Sequence, residues 1–127
     1  MKTAEHELQR ACIRWFRMQY KEYAMNLFAI PNGAKRDARS GKWYKDEGMT
    51  AGVSDAILLV PSPEKDKEGN IIGMGTNGVC IEFKTDKGKQ TEAQKEFQTA
   101  VLNRGYAYWI IRDFDTFRKA IENYIEK

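Results

Sequence analysis

The stretch Val79 to Lys84, "VCIEFK", limits the fold more than any other part of the chain. Its residues favour a strand, and successive side chains on a strand point to opposite faces. Val79, Ile81 and Phe83 therefore share one face, and Cys80, Glu82 and Lys84 share the other. An edge strand could leave that second face in water. A strand set among other apolar strands would bury a carboxylate and an ammonium, which is costly unless the pair has a chemical task.

The flanking segments supply the other strands. "GVSDAILLV" at 52–60 reads as a strand closed by Pro61 and Pro63, and "YAYWIIR" at 106–112 reads as a second. A shorter run, "NLFAIPNG", reads as a strand stopped by Pro31-Asn32-Gly33. Residues 3–20 form an amphipathic pattern, with Leu8, Ala11, Cys12, Trp15, Phe16 and Gln19 at helical spacing and Thr3 placed to cap. A further helix opens at Gln90 or Thr91 and runs to about Asn103. The last helix, with Asp115 as its expected cap, carries Phe117, Ala120, Ile121, Tyr124 and Ile125 on one stripe. "PSPEKDKEGN" reads as a solvated loop, and Asn70 to Gly78 as a hairpin returning into "VCIEFK". The order α-β-β-β-α-β-α predicts an α/β fold with a mixed sheet flanked by helices. A length of 127 residues suits one domain, 1–127.

Composition narrows the chemistry. With 42% hydrophobic and 31% charged residues, the chain can build a core and is not of disordered type. His6 is the one histidine, and Cys12 and Cys80 lie far apart, so no zinc-ligand spacing exists and a reduced, cytoplasmic setting is expected. No apolar leader or run of membrane-spanning length is present in this sequence. The net charge of +3 is too mild to identify a partner by itself. "GMGTNG" at 73–78 fits a dinucleotide-binding spacing but opens into a strand, so its glycines read as hairpin turns. "GVSDA" lacks the second glycine of a nucleophile elbow, and no downstream histidine could activate Ser54.

What remains is acidic. Asp55 lies near the start of one strand and Glu82 within another, so pairing of the two brings both carboxylates onto one sheet face. Their repulsion and desolvation favour a shared cation, and a hard divalent ion such as Mg²⁺ takes carboxylate oxygens, water and phosphate. Lys84, on the face of Glu82, could then serve an attacking water or developing negative charge. A plain surface Glu–Lys pair is the alternative for that tripeptide. Glu5 shares a helical stripe with Gln9, Cys12 and Phe16 and so borders the buried face; it reads either as a site acid or as a helix-terminal charge. Gln94 follows Thr91 at capping-box spacing and also borders an apolar stripe, so it divides between cap and site. Lys35, Arg36, Arg39, Lys42 and Lys45, interleaved with Trp43 and Tyr44, make a basic loop suited to phosphates and exposed bases, with Lys87 and Lys89 beyond the strand. A solvated loop diluted by Asp37, Asp46 and Glu47 is the bland counterpart.

Taken together, Glu5 with Gln9, "GVSD" at 52–55, "IEFK" at 81–84 and "TEAQKEFQ" at 91–98 resemble the virus-type replication-repair nuclease (VRR-NUC) family of the PD-(D/E)xK nuclease superfamily, chiefly its small stand-alone phage and bacterial members. The resemblance spans nearly the whole chain and implies a restriction-endonuclease-like core. It implies Asp55, Glu82 and the Phe83 backbone carbonyl as ligands of Mg²⁺ or Mn²⁺, and Lys84 as the catalytic lysine. Gln94 becomes the supporting helix glutamine and Glu5 the first-helix acid, with Asn32 joining the DNA-binding residues Lys35, Arg36, Arg39, Lys42, Lys45 and Lys87. Where that family usually carries proline before the aspartate, this chain has Ser54, a change of backbone and not of ligand. The implied activity is metal-dependent hydrolysis of DNA, leaving a 5′-phosphate, by a homodimer acting on branched substrates such as Holliday junctions in a phage-infected or bacterial cell. The alternatives are a nuclease for flap, nicked or single-stranded substrates, and a binding module that no longer cuts.

Overall fold

The computed structural model describes residues 3–31 and 38–126. Helix α1 (Thr3–Gln19) buries Cys12 and Phe16, the stripe expected from their spacing, and already includes Thr3. A 3-10 turn (Lys21–Asn26) leads into strand β1 (Leu27–Ala29). Helix α2 (Ala38–Asp46) precedes β2 (Ala56–Leu58). The chain continues through β3 (Ser62–Lys65), β4 (Ile71–Thr76), β5 (Val79–Phe83), α3 (Glu92–Leu102), β6 (Ala107–Ile111) and α4 (Phe114–Ile125).

Four strands form the main sheet in the order β1-β2-β5-β6. β1 and β2 pair antiparallel, as do β2 and β5, whereas β5 and β6 run parallel. Parallel neighbours require a crossover, and α3 provides it. The sheet is therefore mixed, with helices against it, as the element pattern predicts.

β5 occupies an interior position and is buried along its whole length. Its Val79, Ile81 and Phe83 join Leu27, Ala56 and Leu58 beneath Phe16 of α1 and Phe117 and Ile121 of α4. Each such large side chain contributes roughly 1.5–3 kcal/mol on burial, so this layer carries much of the stability. On the opposite face α3 lies over β6, with the Phe97 and Tyr108 rings edge to face at 6.5 Å.

Several local expectations are corrected. The basic stretch expected as a loop contains α2, which holds an i,i+4 pair between Lys42 and Asp46 at 3.1 Å. None of its described side chains belongs to the core, and "ARSGKWYKD" carries few apolar residues, so the segment reads as polar and not as a core-facing helix. The strand expected over 52–60 is confined to Ala56–Leu58. The expected solvated loop contributes β3, which pairs with β4 in a separate two-stranded sheet. Pro63 is tolerated there because the strand is short and its register shifts beside it.

Gly73 and Gly75 lie within β4 and not in turns. Gly75 has φ +61, and a Cβ there would stand 2.0 Å from the Ser62 carbonyl oxygen, so a side chain would force the two strands apart. The hairpin turn is instead at 66–70, where the Asp66 carboxylate accepts the N–H groups of Glu68 and Asn70. The last helix is capped by Asp113, which accepts the Thr116 N–H at 2.8 Å. Asp115 sits inside that helix and pairs with Arg118 and Lys119.

Candidate active site

The antiparallel register of β2 and β5 decides where the acids meet. Ala56 lies opposite Ile81 and Ile57 opposite Cys80, so one step beyond β2 Asp55 comes opposite Glu82. β2 starts at Ala56, and the Asp55 side chain takes the place of a ladder carbonyl by accepting the Phe83 N–H at 2.7 Å. The turn that delivers Asp55 lies on the start of α3. Gly52 has φ +83, and a Cβ there would be 2.3 Å from the Ala93 carbonyl oxygen, so glycine permits this close approach. Ser54 is fully buried and donates its hydroxyl hydrogen to the Ala56 carbonyl at 3.0 Å, a structural role.

Glu82 is fully buried. Its Oε1 accepts the Tyr108 hydroxyl from the neighbouring strand. Its Oε2 has no hydrogen-bond partner, and the Lys84 Nζ stands 3.8 Å away, close enough for attraction but too far for a hydrogen bond. The Lys84 side chain is itself only 12% exposed. An ionised oxygen in this position is expensive, because desolvation is compensated only by a distant ammonium.

The neighbouring carboxyl group responds to the same crowding. Burial raises the Asp55 pKa above the usual carboxylate value, the Phe83 N–H opposes it, the charges of Glu82 and Glu5 raise it further, and Lys84 lowers it. Glu5 arrives from α1 and accepts the Thr85 N–H at 3.4 Å through its Oε2. Three acids from different elements thus feel one another, with one lysine between them.

This arrangement fits a hard divalent cation. Two opposed carboxylates, one of them with an orphaned buried oxygen, offer hard donors, and a cation would offset the repulsion that adds to the rise at Asp55. Among the described residues no three His, Cys, Asp or Glu side chains form a ready metal cluster. A cation here would thus complete its shell from main-chain carbonyl, water and phosphate oxygens, the habit of Mg²⁺.

Gln94 closes a capping box: Thr91 Oγ1 accepts the Gln94 N–H, and the Gln94 side-chain oxygen accepts the Thr91 N–H at 2.8 Å. Lys87 is exposed in the loop after β5. Lys42 and Lys45 are exposed on α2 beside Trp43, which is 60% exposed. Arg39 lies on α2 with its side chain outside the described part, and Asn32, Lys35 and Arg36 fall outside the described residues.

Residues the sequence reading passed over complete the surroundings. Gln90 donates to the Gln98 side-chain oxygen at 2.8 Å and works against the rise in the Tyr108 pKa that burial and Glu82 produce. Arg112 donates to the Thr85 carbonyl at 2.6 Å and the Gly88 carbonyl at 2.8 Å, fastening the loop that follows Lys84. A hint lay in the alternation of "YAYWIIR", which puts Tyr108 on one face, but its partner emerges only from the parallel register with β5.

No family model matches the sequence, and no curated protein does. Among solved structures, one described as a VRR_NUC domain protein matches with a TM-score of 0.76 at 21% identity, covering 97% of this chain and 88% of that one. At this identity the likeness speaks for the fold, and it includes the sheet and helices that hold Asp55 and Glu82. The chain shares the fold of that VRR_NUC domain protein, a mixed sheet flanked by helices.

Proposed function

We propose that this chain is a metal-dependent DNA endonuclease that hydrolyses phosphodiester bonds. The observation that carries the reading is the buried, unpartnered Glu82 Oε2, facing Lys84 at 3.8 Å with Asp55 across the strand pair. A buried charge of this kind is best explained by a positive ligand that it serves.

In this reading Asp55, Glu82 and the Phe83 carbonyl hold Mg²⁺ or Mn²⁺. The bound ion would supply electrostatic stabilisation at the scissile phosphate and ease deprotonation of the attacking water. Lys84 orients that water and offsets charge developing on the phosphoryl oxygens. Water adds to phosphorus, the bond to the 3′ oxygen breaks, and the products carry a 3′-hydroxyl and a 5′-phosphate. Glu5 adds negative charge beside Asp55 and ties α1 to the end of β5 through Thr85. Gln94 anchors the start of α3, against which the Asp55 turn rests.

Lys42, Lys45 and Lys87, with Arg39, Asn32, Lys35 and Arg36, hold the DNA backbone, and the exposed Trp43 offers a stacking surface. The preferred substrate is branched DNA of the Holliday-junction type, and the working unit is a homodimer, since paired incision needs two sites related by a two-fold axis. The setting is phage or bacterial DNA replication, recombination or repair.

The test is cleavage of labelled duplex, single-stranded, flap and four-way-junction DNA with Mg²⁺, Mn²⁺ or EDTA, beside Glu82→Gln. Symmetric metal-dependent cuts confined to the junction support the full reading. Cutting of other substrates keeps the endonuclease and removes the junction preference. Binding without metal-dependent cutting of any substrate would sink the proposal in favour of a binding module.

A further inference from the structure

The two oxygens of Glu82 have different surroundings. Oε1 is engaged by the Tyr108 hydroxyl, whereas Oε2 is buried without a hydrogen-bond partner and looks toward Lys84. Tyr108 stands on β6 opposite Cys80, one same-face step from the position opposite Glu82. Gln90, in the loop before α3, works against the rise in the Tyr108 pKa and is itself held by Gln98 on α3. The Tyr108 ring is fixed independently, edge to face with Phe97 of the same helix.

A carboxylate can rotate about its terminal torsion, which is a soft degree of freedom. A donor on one oxygen stops that rotation and fixes where the other points. We propose that Tyr108 is a positioning residue that locks the Glu82 carboxylate and presents Oε2 to the cation. The inference rests on the metal-dependent reading above. The tyrosine hydroxyl would orient a metal-holding carboxylate without touching the cation itself.

Tyr108→Phe keeps the ring against Phe97 and removes the hydroxyl alone. Mn²⁺ binding to the DNA-free protein, followed by the loss of free-ion electron paramagnetic resonance signal, reads the effect without recourse to activity. The expected result is a Kd for Mn²⁺ raised about 10-fold, with cleavage recovering as Mn²⁺ is increased and KM for DNA unmoved. Gln90→Leu, in a loop and away from the core, should raise the same Kd about 3-fold, a lesser effect because Gln90 acts on Glu82 only by way of Tyr108. It serves if Tyr108→Phe does not fold. A merely structural tyrosine would lower the melting temperature and leave the Mn²⁺ affinity as in the wild type, and that result overturns the inference alone. If the wild type takes up no Mn²⁺, or takes it up equally after Glu82→Gln, the metal-dependent reading falls and the inference with it.

Discussion

The two faces of β5 show what one strand can be made to do. On one face Val79, Ile81 and Phe83 meet α1 and α4, and burial there is favourable throughout. On the other, Glu82 is equally buried but leaves an oxygen unpartnered, and Asp55 opposite it is pushed toward protonation. Adjacent residues at the same depth therefore have opposite signs in stability. The apolar face supplies the surplus that lets the charged face exist, as expected where function is bought with local strain.

The contrast can be broken most strongly at its charged side. Glu82→Gln keeps shape and an acceptor for Tyr108 but removes the charge, so cleavage should fall by at least about 10⁴-fold, comparable to losing a principal catalytic group. The melting temperature in EDTA should change little, because relief from burying the charge is opposed by loss of its attraction to Lys84 at 3.8 Å. A variant that cuts normally would show that Glu82 is not part of the reaction.

Phe83→Ala, one residue along, should do the reverse of this in kind. It empties a fully packed site and should cost about 3–5 kcal/mol in chemical denaturation, because the core cannot close over an aromatic-sized gap. A loss below about 1 kcal/mol would show that this face is less tightly packed than its burial implies.

Asp55→Asn sharpens the comparison at smaller scale. The folded-state pKa of Asp55 is raised, so its contribution to stability is fully present below the unfolded value and is lost as pH rises through the folded value. Above the folded-state pKa the ionised group thus weighs against the metal-free fold. The asparagine variant should gain about 1 kcal/mol in EDTA, seen as a melting point higher by roughly 2–8 °C, while Mg²⁺ should raise the wild type and leave the variant unmoved. A lower melting point in EDTA would contradict the assigned repulsion.

The smallest effect separates the two buried thiols. Burial pushes Cys12, on the apolar side, up to about 12 from 9.0, and the Asp113 charge adds to the rise. The Cys80 pKa is also raised by burial, but a hydrogen bond with Ser54 works against it. The unfolded chain gives up its Cys12 proton first, so stability should decline as pH climbs from about 9 toward 12. Cys12→Ala should flatten that decline in alkaline denaturation curves. An unchanged slope would assign it to other groups.

Much of this was legible in the chain. Alternation in "VCIEFK" placed Glu82 and Lys84 on one face, and the turn before "AILL" placed Asp55 at a strand start, so their meeting followed once the strands paired. The α1 stripe and the Gln94 capping box were equally readable, because both depend on spacing within one helix. The misses have a common cause. α2 shows no core stripe among its described side chains, β3 contains proline, and β4 carries glycine, so each lacks the local signal that normally announces its type. The cap of α4 slipped from Asp115 to Asp113 because both residues are capable and only the backbone at the helix entrance chooses.

The sequence by itself determined the period-two pattern of β5, the helix stripes and the acid–lysine set, since these depend on neighbours a few residues away. Only the tertiary structure decided that β5 lies inside the sheet, that Asp55 falls opposite Glu82, and that Tyr108 on a parallel strand takes one oxygen and leaves the other. Register between distant strands is set by how the core and helices pack around them, and no local spacing along the chain encodes that.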